Sequence, residues 1–424
     1  MESPSKFSCR RQKENRNPPV KHPEKERIMN FIFISPQFPK TYWNFCDRLK
    51  KNGITVLGLG DAPYDSLSGP LRESLTEYYR VDSLENYDEV LRAVGYFTFR
   101  YGKIDWVESN NEYWLGLDAK IRSDFNLSTG LKAEEIRMFQ SKSLMKTYYQ
   151  QAGVPAARWS LVSTLEQGLE FVRQVGFPII AKPDVGVGAS HTHKLKNEEE
   201  LRAFYSDLPP QPYLLEEFIE GDICSYDGVS GPNCEVLFEA SNFFPPSIMD
   251  VVNAKNHLSY CTLKQVPPAL SETGRRVIRA FQAKNRFFHL EFFRLTKEQP
   301  GLGNAGDYVA LEVNMRPAGG YTPDMINFAN SVDVYQIWAD MVAFGTCRTD
   351  LSAEHFYAVY ASRRDEKHYL HSHEEILSRY ASSIVMQERM PEILSGAMGN
   401  QMYTARLETP QQARDFVSFI QQER

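Results

Sequence analysis

The chain has 424 residues and a mass of 48.7 kDa, which at roughly 100–200 residues per domain supports two to four domains or subdomains. Hydrophobic residues make up 42% and charged residues 24%, a balance that fits a soluble globular protein and excludes a disordered chain or a fibrous repeat. Lys and Arg number 48 against 54 Asp and Glu, a net charge of −6, where a general nucleic-acid binder carries a basic surplus. No apolar run approaches the roughly 18–20 residues of a membrane helix. The six cysteines, at 9, 46, 224, 234, 261 and 347, form no CxxC pair. Reduced thiols in a cytoplasmic protein are therefore expected, not a disulfide framework or a zinc site.

Residues 1–28 hold eight Lys or Arg against four Glu, which leaves the remainder at −10. They lack the apolar segment of a secretory signal. A disordered basic tail, or an upstream start with translation from Met29, is the expectation. The folded part then opens at Asn30. Phe31–Ile34 is a short apolar run of the kind a strand buried on both faces needs. A helix over 42–51 and a strand over 54–59 follow, a β–α–β opening that suggests a doubly wound sheet. Gly58-Leu59-Gly60 lacks the third glycine of a dinucleotide fingerprint. A further strand over 104–108 and a helix over 113–125 continue the pattern.

Apolar spacing predicts one helix over 133–151, ended by Gly153-Val154-Pro155. Ser163-x-x-Glu166 reads as a capping box, opening a helix that Gly176 closes. A strand over 177–181, a glycine-containing loop and a helix capped by Asn197 follow. Strands are expected over 213–219, 223–229 and 235–240, a helix over 271–284, and strands over 287–295 and 308–315. The last 75 or so residues read as a small α+β cap: strands 356–362, 383–388 and 401–407, with helices 372–380 and 410–421.

Side chains alternate faces along a strand. Glu312, Asn314 and Arg316 therefore share a face of one strand, and His289, Glu291 and Phe293 a face of another. Antiparallel pairing through the glycine-rich loop 297–307 would set Glu291 opposite Glu312 or Asn314. Both carboxylates sit in apolar runs, FFHLEFF and YVALEVN, where a lone charge is costly. Two carboxylates and an amide oxygen suit Mg²⁺, and the arginine can hold an anion. A solvated face on a half-exposed sheet is the plain alternative. Lys182 ends a buried strand and precedes Gly186, Gly188, Ala189 and Ser190, small residues whose backbone N–H groups can approach phosphate. It is not a Walker A loop, because the lysine comes first. Glu216 and Glu217, with Ile219, end a strand that can serve an adenine edge. An ordinary glycine turn and a surface acidic pair explain these last two signals as well.

The order of these elements says more than any one of them. Lys142 on a helix, then strand–Lys182–glycine loop, EEFI about 34 residues later, a hairpin, HLEF and LEVNMR together resemble the ATP-grasp superfamily. That superfamily includes biotin carboxylase, the carbamoyl phosphate synthetase large subunit and glycinamide ribonucleotide synthetase. The resemblance covers roughly residues 30–345, nearly three quarters of the chain. A closer one, carried by Arg316–Asp324, is to bacterial stand-alone proteins described as carboxylate–amine ligases or as similar to carbamoyl phosphate synthetase.

The resemblance implies an ATP-grasp fold of mixed α/β and α+β class. Its parts would be a Rossmann-like pre-ATP-grasp domain (30–130), a two-part ATP-grasp domain (131–345, with a mobile lid near 155–222) and the α+β cap (350–424). It implies that Lys142 and Lys182 contact ATP phosphates, and that Gly186, Gly188, Ala189 and Ser190 close over them. Glu216, Glu217 and Ile219 would form the adenine hinge. Glu291, Glu312 and Asn314 would bind Mg²⁺, with Mn²⁺ a substitute. Arg316 and Lys182 would be catalytic. Asn110-Asn111-Glu112 falls where relatives often touch substrate. One position departs: Ile223 stands where many relatives place a ribose-binding glutamate. The implied activity is an ADP-forming carboxylate–amine ligase acting on small molecules, amino acids or peptides included, with no nucleic-acid or membrane partner. A homodimer is compatible with it. A kinase that phosphorylates its acceptor and stops, and a non-catalytic ATP-binding regulatory module, are the alternatives. His191 and His193 flank the glycine loop as acid–base candidates or as plain exposed histidines.

Overall fold

The computed structural model describes residues 28–186, 191–244 and 257–424. The basic tail proposed for the N-terminus lies, but for Ile28, outside them. Three sheets organise the described residues. The first contains β1 (Asn30–Ile34), β2 (Thr55–Gly60), β3 (Glu77–Arg80) and β4 (Trp106–Glu108), all parallel, in the order β3-β2-β1-β4. Every residue of β1 is buried, as its unbroken apolar run requires in a strand covered on both faces. Helix Trp43–Lys51 buries Phe45, Cys46 and Leu49. Its Phe45 ring meets Tyr335 and Trp338 at centroid distances of 4.7 and 5.0 Å. Those two rings belong to helix Val334–Phe344, whose core face thereby fastens the N-terminal layer to the rest of the molecule.

The expected helix over 133–151 is instead two pieces, a 3₁₀ turn Ile136–Phe139 and helix Lys142–Gln151. The break has a clear cause. Ser141 caps the second helix by accepting from the Leu144 N–H at 3.3 Å. Asp184, the residue after strand Ile179–Pro183, holds the same point, accepting from Ser141 Oγ at 2.8 Å and the Ser143 N–H at 2.7 Å. Lys142 is thereby set at a helix start beside the glycine loop.

The second sheet is antiparallel, in the order β5-β8-β6-β7. It contains β5 (Trp159–Leu161), β6 (Ile179–Pro183), β7 (His193–Leu195) and β8 (Tyr213–Glu217). Helices Leu165–Val175 and Glu198–Ser206 cover one face, around Phe171, Ile179, Leu195, Leu201 and Leu215. The cap of the first helix is Thr164, which accepts from the Gln167 N–H at 3.4 Å, one residue beyond the expected Ser163. Thr164 has the extended backbone of an N-cap, so Ser163 falls outside the helix. Asn197 caps the second as expected, accepting from the Glu200 N–H at 2.9 Å.

The third sheet has eight antiparallel strands: β9 (Gly221–Ser230), β10 (Val236–Phe244), β11 (Ser259–Thr262), β12 (Arg286–Leu295), β13 (Tyr308–Asn314), β14 (Tyr357–Arg363), β15 (Ile384–Arg389) and β16 (Gln401–Leu407). Their order is β13-β12-β9-β10-β11-β14-β16-β15. The strands expected in a C-terminal cap therefore extend this same sheet, joined through the pairing of β11 with β14. Helix Pro268–Ala280 lies against β9 so closely that a Cβ on Gly274 would meet the Tyr226 ring at 2.2 Å. Cys46, Cys224, Cys234, Cys261 and Cys347 are free thiols. No helix among the described residues is long and apolar enough to cross a membrane.

Candidate functional site: a phosphate and cation cleft

β12 and β13 pair antiparallel with His289 opposite Asn314 and Glu291 opposite Glu312. A bulge after Glu291 interrupts the register. Glu291, Glu312, Asn314 and Arg316 thus converge at one end of the large sheet. Lys142 reaches in from its helix, its Nζ 2.9 Å from Glu312 Oε1 and donating to the Gly186 carbonyl at 2.9 Å. Arg316 donates to Asn314 Oδ1 at 3.4 Å and to the Pro317 carbonyl at 2.9 Å. Its Nε lies 3.4 Å from Glu112 Oε2, so the loop after β4 and the end of β13 form facing walls. Burial pushes the Glu112 carboxyl up against the pull of Arg316.

His289, which faces the same way as Glu291, holds it from behind. Its Nε2 is 3.0 Å from Glu291 Oε1 and its Nδ1 2.7 Å from Asp227 Oδ1. Burial opposes a charge on the ring, but the two carboxylates outweigh it and raise its pKa to about 9. Burial likewise opposes ionisation of Glu291, and the contacts with His289 overcome it, drawing that pKa down. The donor set facing the cleft is oxygen only: two carboxylates set directly opposite each other and one amide. Among the described residues no group of three or more His, Cys, Asp or Glu is placed to hold a metal ion by itself. The Lys142 ammonium already neutralises Glu312. These residues fit a hard divalent cation with open positions for phosphate and water.

Lys182, at the end of β6, does not stand free. Its Nζ is 2.6 Å from Glu216 Oε2, and Lys146 Nζ is 2.5 Å from Glu216 Oε1. All three side chains are buried. Burial alone would raise the Glu216 pKa, but the two ammonium groups outweigh it and hold it at about 2. Glu217 is engaged as well: Arg158 donates to it from its backbone N–H at 2.6 Å and from Nη2 at 2.7 Å. Both carboxylates expected at an adenine hinge are thus engaged by protein cations. Ile219 packs with Ala157, Leu295, Leu302 and Val309. Ile223 packs onto the cluster of Phe244, Leu258 and Tyr260.

Gly186 is described, whereas Gly188, Ala189 and Ser190 lie outside the described residues. His191 is exposed with φ of 59°. His193 packs beside Phe204, 5.7 Å between centroids. Sequence reasoning passed over Lys146, though it lies one turn after Lys142 on the same helix face. It also passed over Asp227, whose partner His289 had been placed on the Glu291 face.

No protein-family model matches the chain. Among curated proteins it is 22% identical over 279 residues to alanine–anticapsin ligase of Bacillus subtilis, covering 61% of this chain and 57% of that protein. The chain spans less than two thirds of the length of the first curated relatives it matches. Among solved structures it resembles the L-amino acid ligase from Bacillus licheniformis, with a TM-score of 0.66 at 14% identity over 92% of this chain and 96% of that one. It also resembles the biotin carboxylase domain of Hydrogenobacter thermophilus 2-oxoglutarate carboxylase, solved with MgADP, ADP and bicarbonate. There the TM-score is 0.65 at 15% identity, over 92% of this chain and 88% of that one. On this likeness to solved structures, the chain has the ATP-grasp fold.

Proposed function

We propose that the protein is an ADP-forming carboxylate–amine ligase that uses Mg-ATP on small molecules, amino acids among them. The observation that carries this reading is the convergence of Lys142, Arg316 and the opposed pair Glu291/Glu312 on one cleft. The similarity to amino-acid ligases and to a MgADP-bound biotin carboxylase domain supports it.

Phosphoryl transfer asks a protein mainly for positioning and charge neutralisation. Lys142 exchanges Glu312 for a phosphate oxygen, and Lys182 turns from Glu216 toward the triphosphate, with Lys146 left to balance Glu216. Glu291, Glu312 and Asn314 would hold Mg²⁺, which supplies charge neutralisation of the phosphate oxygens when bound. Arg316 orients the acceptor carboxylate. One carboxylate oxygen attacks the γ-phosphorus, the bond to the β–γ bridging oxygen breaks, and ADP leaves an acyl phosphate. The amine nitrogen then attacks the acyl carbon, loses a proton and expels phosphate. Water has to be kept from the intermediate, which it would otherwise hydrolyse.

The test is ADP release against pooled carboxylates and amines, with Glu312→Gln as the control. A pool requiring both an acid and an amine is expected, with the variant reduced at least ~100-fold. Full Mg-dependent activity in Glu312→Gln would overturn the cation assignment. A stable phosphorylated product needing no amine would overturn the ligase reading in favour of a kinase.

A further inference from the structure

The polar face that ends in Glu291 does not stop at β12. In register across the large sheet, Thr262 on β11 pairs with Asn242 on β10, Asn242 with Ser225 on β9, and Ser225 with Glu291 on β12. One row along, Asp227 pairs with His289, and His289 with Asn314. Thr262, Asn242, Ser225 and Asp227 are each 0% exposed and His289 is 5%. They form a continuous hydrogen-bonded chain. Thr262 Oγ1 donates to Asn242 Oδ1 at 2.6 Å, Asn242 Nδ2 donates to Asp227 Oδ2 at 2.8 Å, and Ser225 Oγ donates to the same carboxylate. Asp227 Oδ1 then meets His289 Nδ1, and His289 Nε2 meets Glu291 Oε1.

Replacing a buried ionic network by well-packed apolar residues is often neutral or stabilising. Stability is therefore a poor reason for the chain. Geometry is a better one. Asp227 and an ionised Glu291 can only accept, so the imidazole is pinned between two carboxylates and the Glu291 carboxylate plane is fixed through Oε1. Asn242 and Ser225 in turn saturate the second oxygen of Asp227, and Thr262 sets which way the Asn242 amide faces.

We propose that Asp227 and His289, held by Asn242 and Thr262, are positioning residues that orient Glu291 as a cation ligand, so that the affinity of the cleft is set three strands away from it. This rests on the cation assignment made above for Glu291. Groups behind a metal ligand that fix its orientation typically change metal affinity 10–100-fold when removed.

The experiment is Mn²⁺ binding in the presence of ADP, followed by electron paramagnetic resonance on the full chain. Asp227→Asn and His289→Gln are expected to raise the Mn²⁺ Kd about 10–100-fold. Thr262→Val, isosteric and remote, is expected to raise it by a smaller factor, and Thr262→Ser to restore it. Unfolding midpoints are read alongside, and the Thr262 pair carries the test if Asp227→Asn does not fold. Tight Mn²⁺ binding by the wild type with an unchanged Kd in Thr262→Val, Asp227→Asn and His289→Gln would overturn the positioning role and leave the cation site standing. No Mn²⁺ binding by the wild type would overturn both. A lowered midpoint with unchanged Kd would mark the chain as purely structural.

Discussion

At the scale of single residues, the cleft is a set of charges that satisfy one another. Glu216 illustrates this, being buried between Lys146 and Lys182. Its folded pKa, about 2, lies below the ordinary 4.5. Its stabilising contribution is therefore complete above about pH 4.5 and is lost as pH falls toward 2. Glu216→Gln leaves two buried ammonium groups with no counter-charge, which costs about 3–5 kcal/mol. Urea titrations at pH 7 should show that loss, and the variant's acid limb between pH 4.5 and 2 should be flatter than the wild type's. Equal stability at pH 7 would mean that the lysines find another counter-charge. Glu291, Glu312, Asn314 and Arg316 were legible in the sequence because a strand's period of two puts them on one face. The partners of Glu216 were not, because Lys146, Lys182 and Glu216 come from a helix and two strands whose approach no local pattern encodes.

At the scale of elements, legibility was uneven: the short strand β4 was expected, whereas helices Tyr87–Tyr101 and Val334–Phe344 were not. β12 and β13 were placed to within a residue, because each is an apolar run broken by a carboxylate. β5, β7 and β11 have three or four residues each and too few turns of their period to show. The helix split at Ser141 escaped notice because its cause, Asp184, is distant in sequence. Helix Thr322–Asn330 was not among the expected elements. Close approach between strands gives a test at this scale. A Cβ on Gly228 would lie 2.0 Å from the Phe238 carbonyl oxygen of the neighbouring strand and 2.8 Å from the Phe288 ring. Backbone cannot yield there as a flexible side chain can, so Gly228→Ala should lower stability by about 1–3 kcal/mol or more. A shifted urea midpoint at constant slope is the expected readout. An unchanged midpoint would show that β9 and β10 can separate without loss.

At the scale of the whole molecule, the N-terminal layer is fastened to the large sheet by a buried ion network. Glu108, at the end of β4, meets Arg122 Nη2 at 2.9 Å and Arg286 Nη2 at 3.0 Å. Arg286 also donates to the Met315 carbonyl at 3.2 Å, one residue before Arg316. Asp118 accepts from the Ser109 N–H at 2.9 Å. Burial, reinforced by the neighbouring Glu108 charge, pushes the Asp118 pKa up to about 8 from 3.8. A carboxyl raised on folding holds a proton that the unfolded chain releases. Its contribution is thus full below about pH 3.8 and declines as pH rises toward 8. Asp118→Asn should keep the stability seen at acid pH and flatten that decline. An identical decline in the variant would assign it elsewhere. None of this network was legible, because arginines in helix and strand give no sign that they will be buried together. The continuity of the C-terminal strands with the large sheet was equally hidden, since pairing of β11 with β14 joins segments almost a hundred residues apart.

The central claim is that a substrate carboxylate attacks the γ-phosphorus of ATP and is then displaced by an amine. It is tested most directly by isotope transfer with the acid and amine that ADP-release screening identifies. With the acid labelled by ¹⁸O in its carboxylate, one labelled oxygen should appear in each phosphate released, in step with ADP and amide. Unlabelled phosphate accompanying amide formation would contradict the acyl-phosphate route.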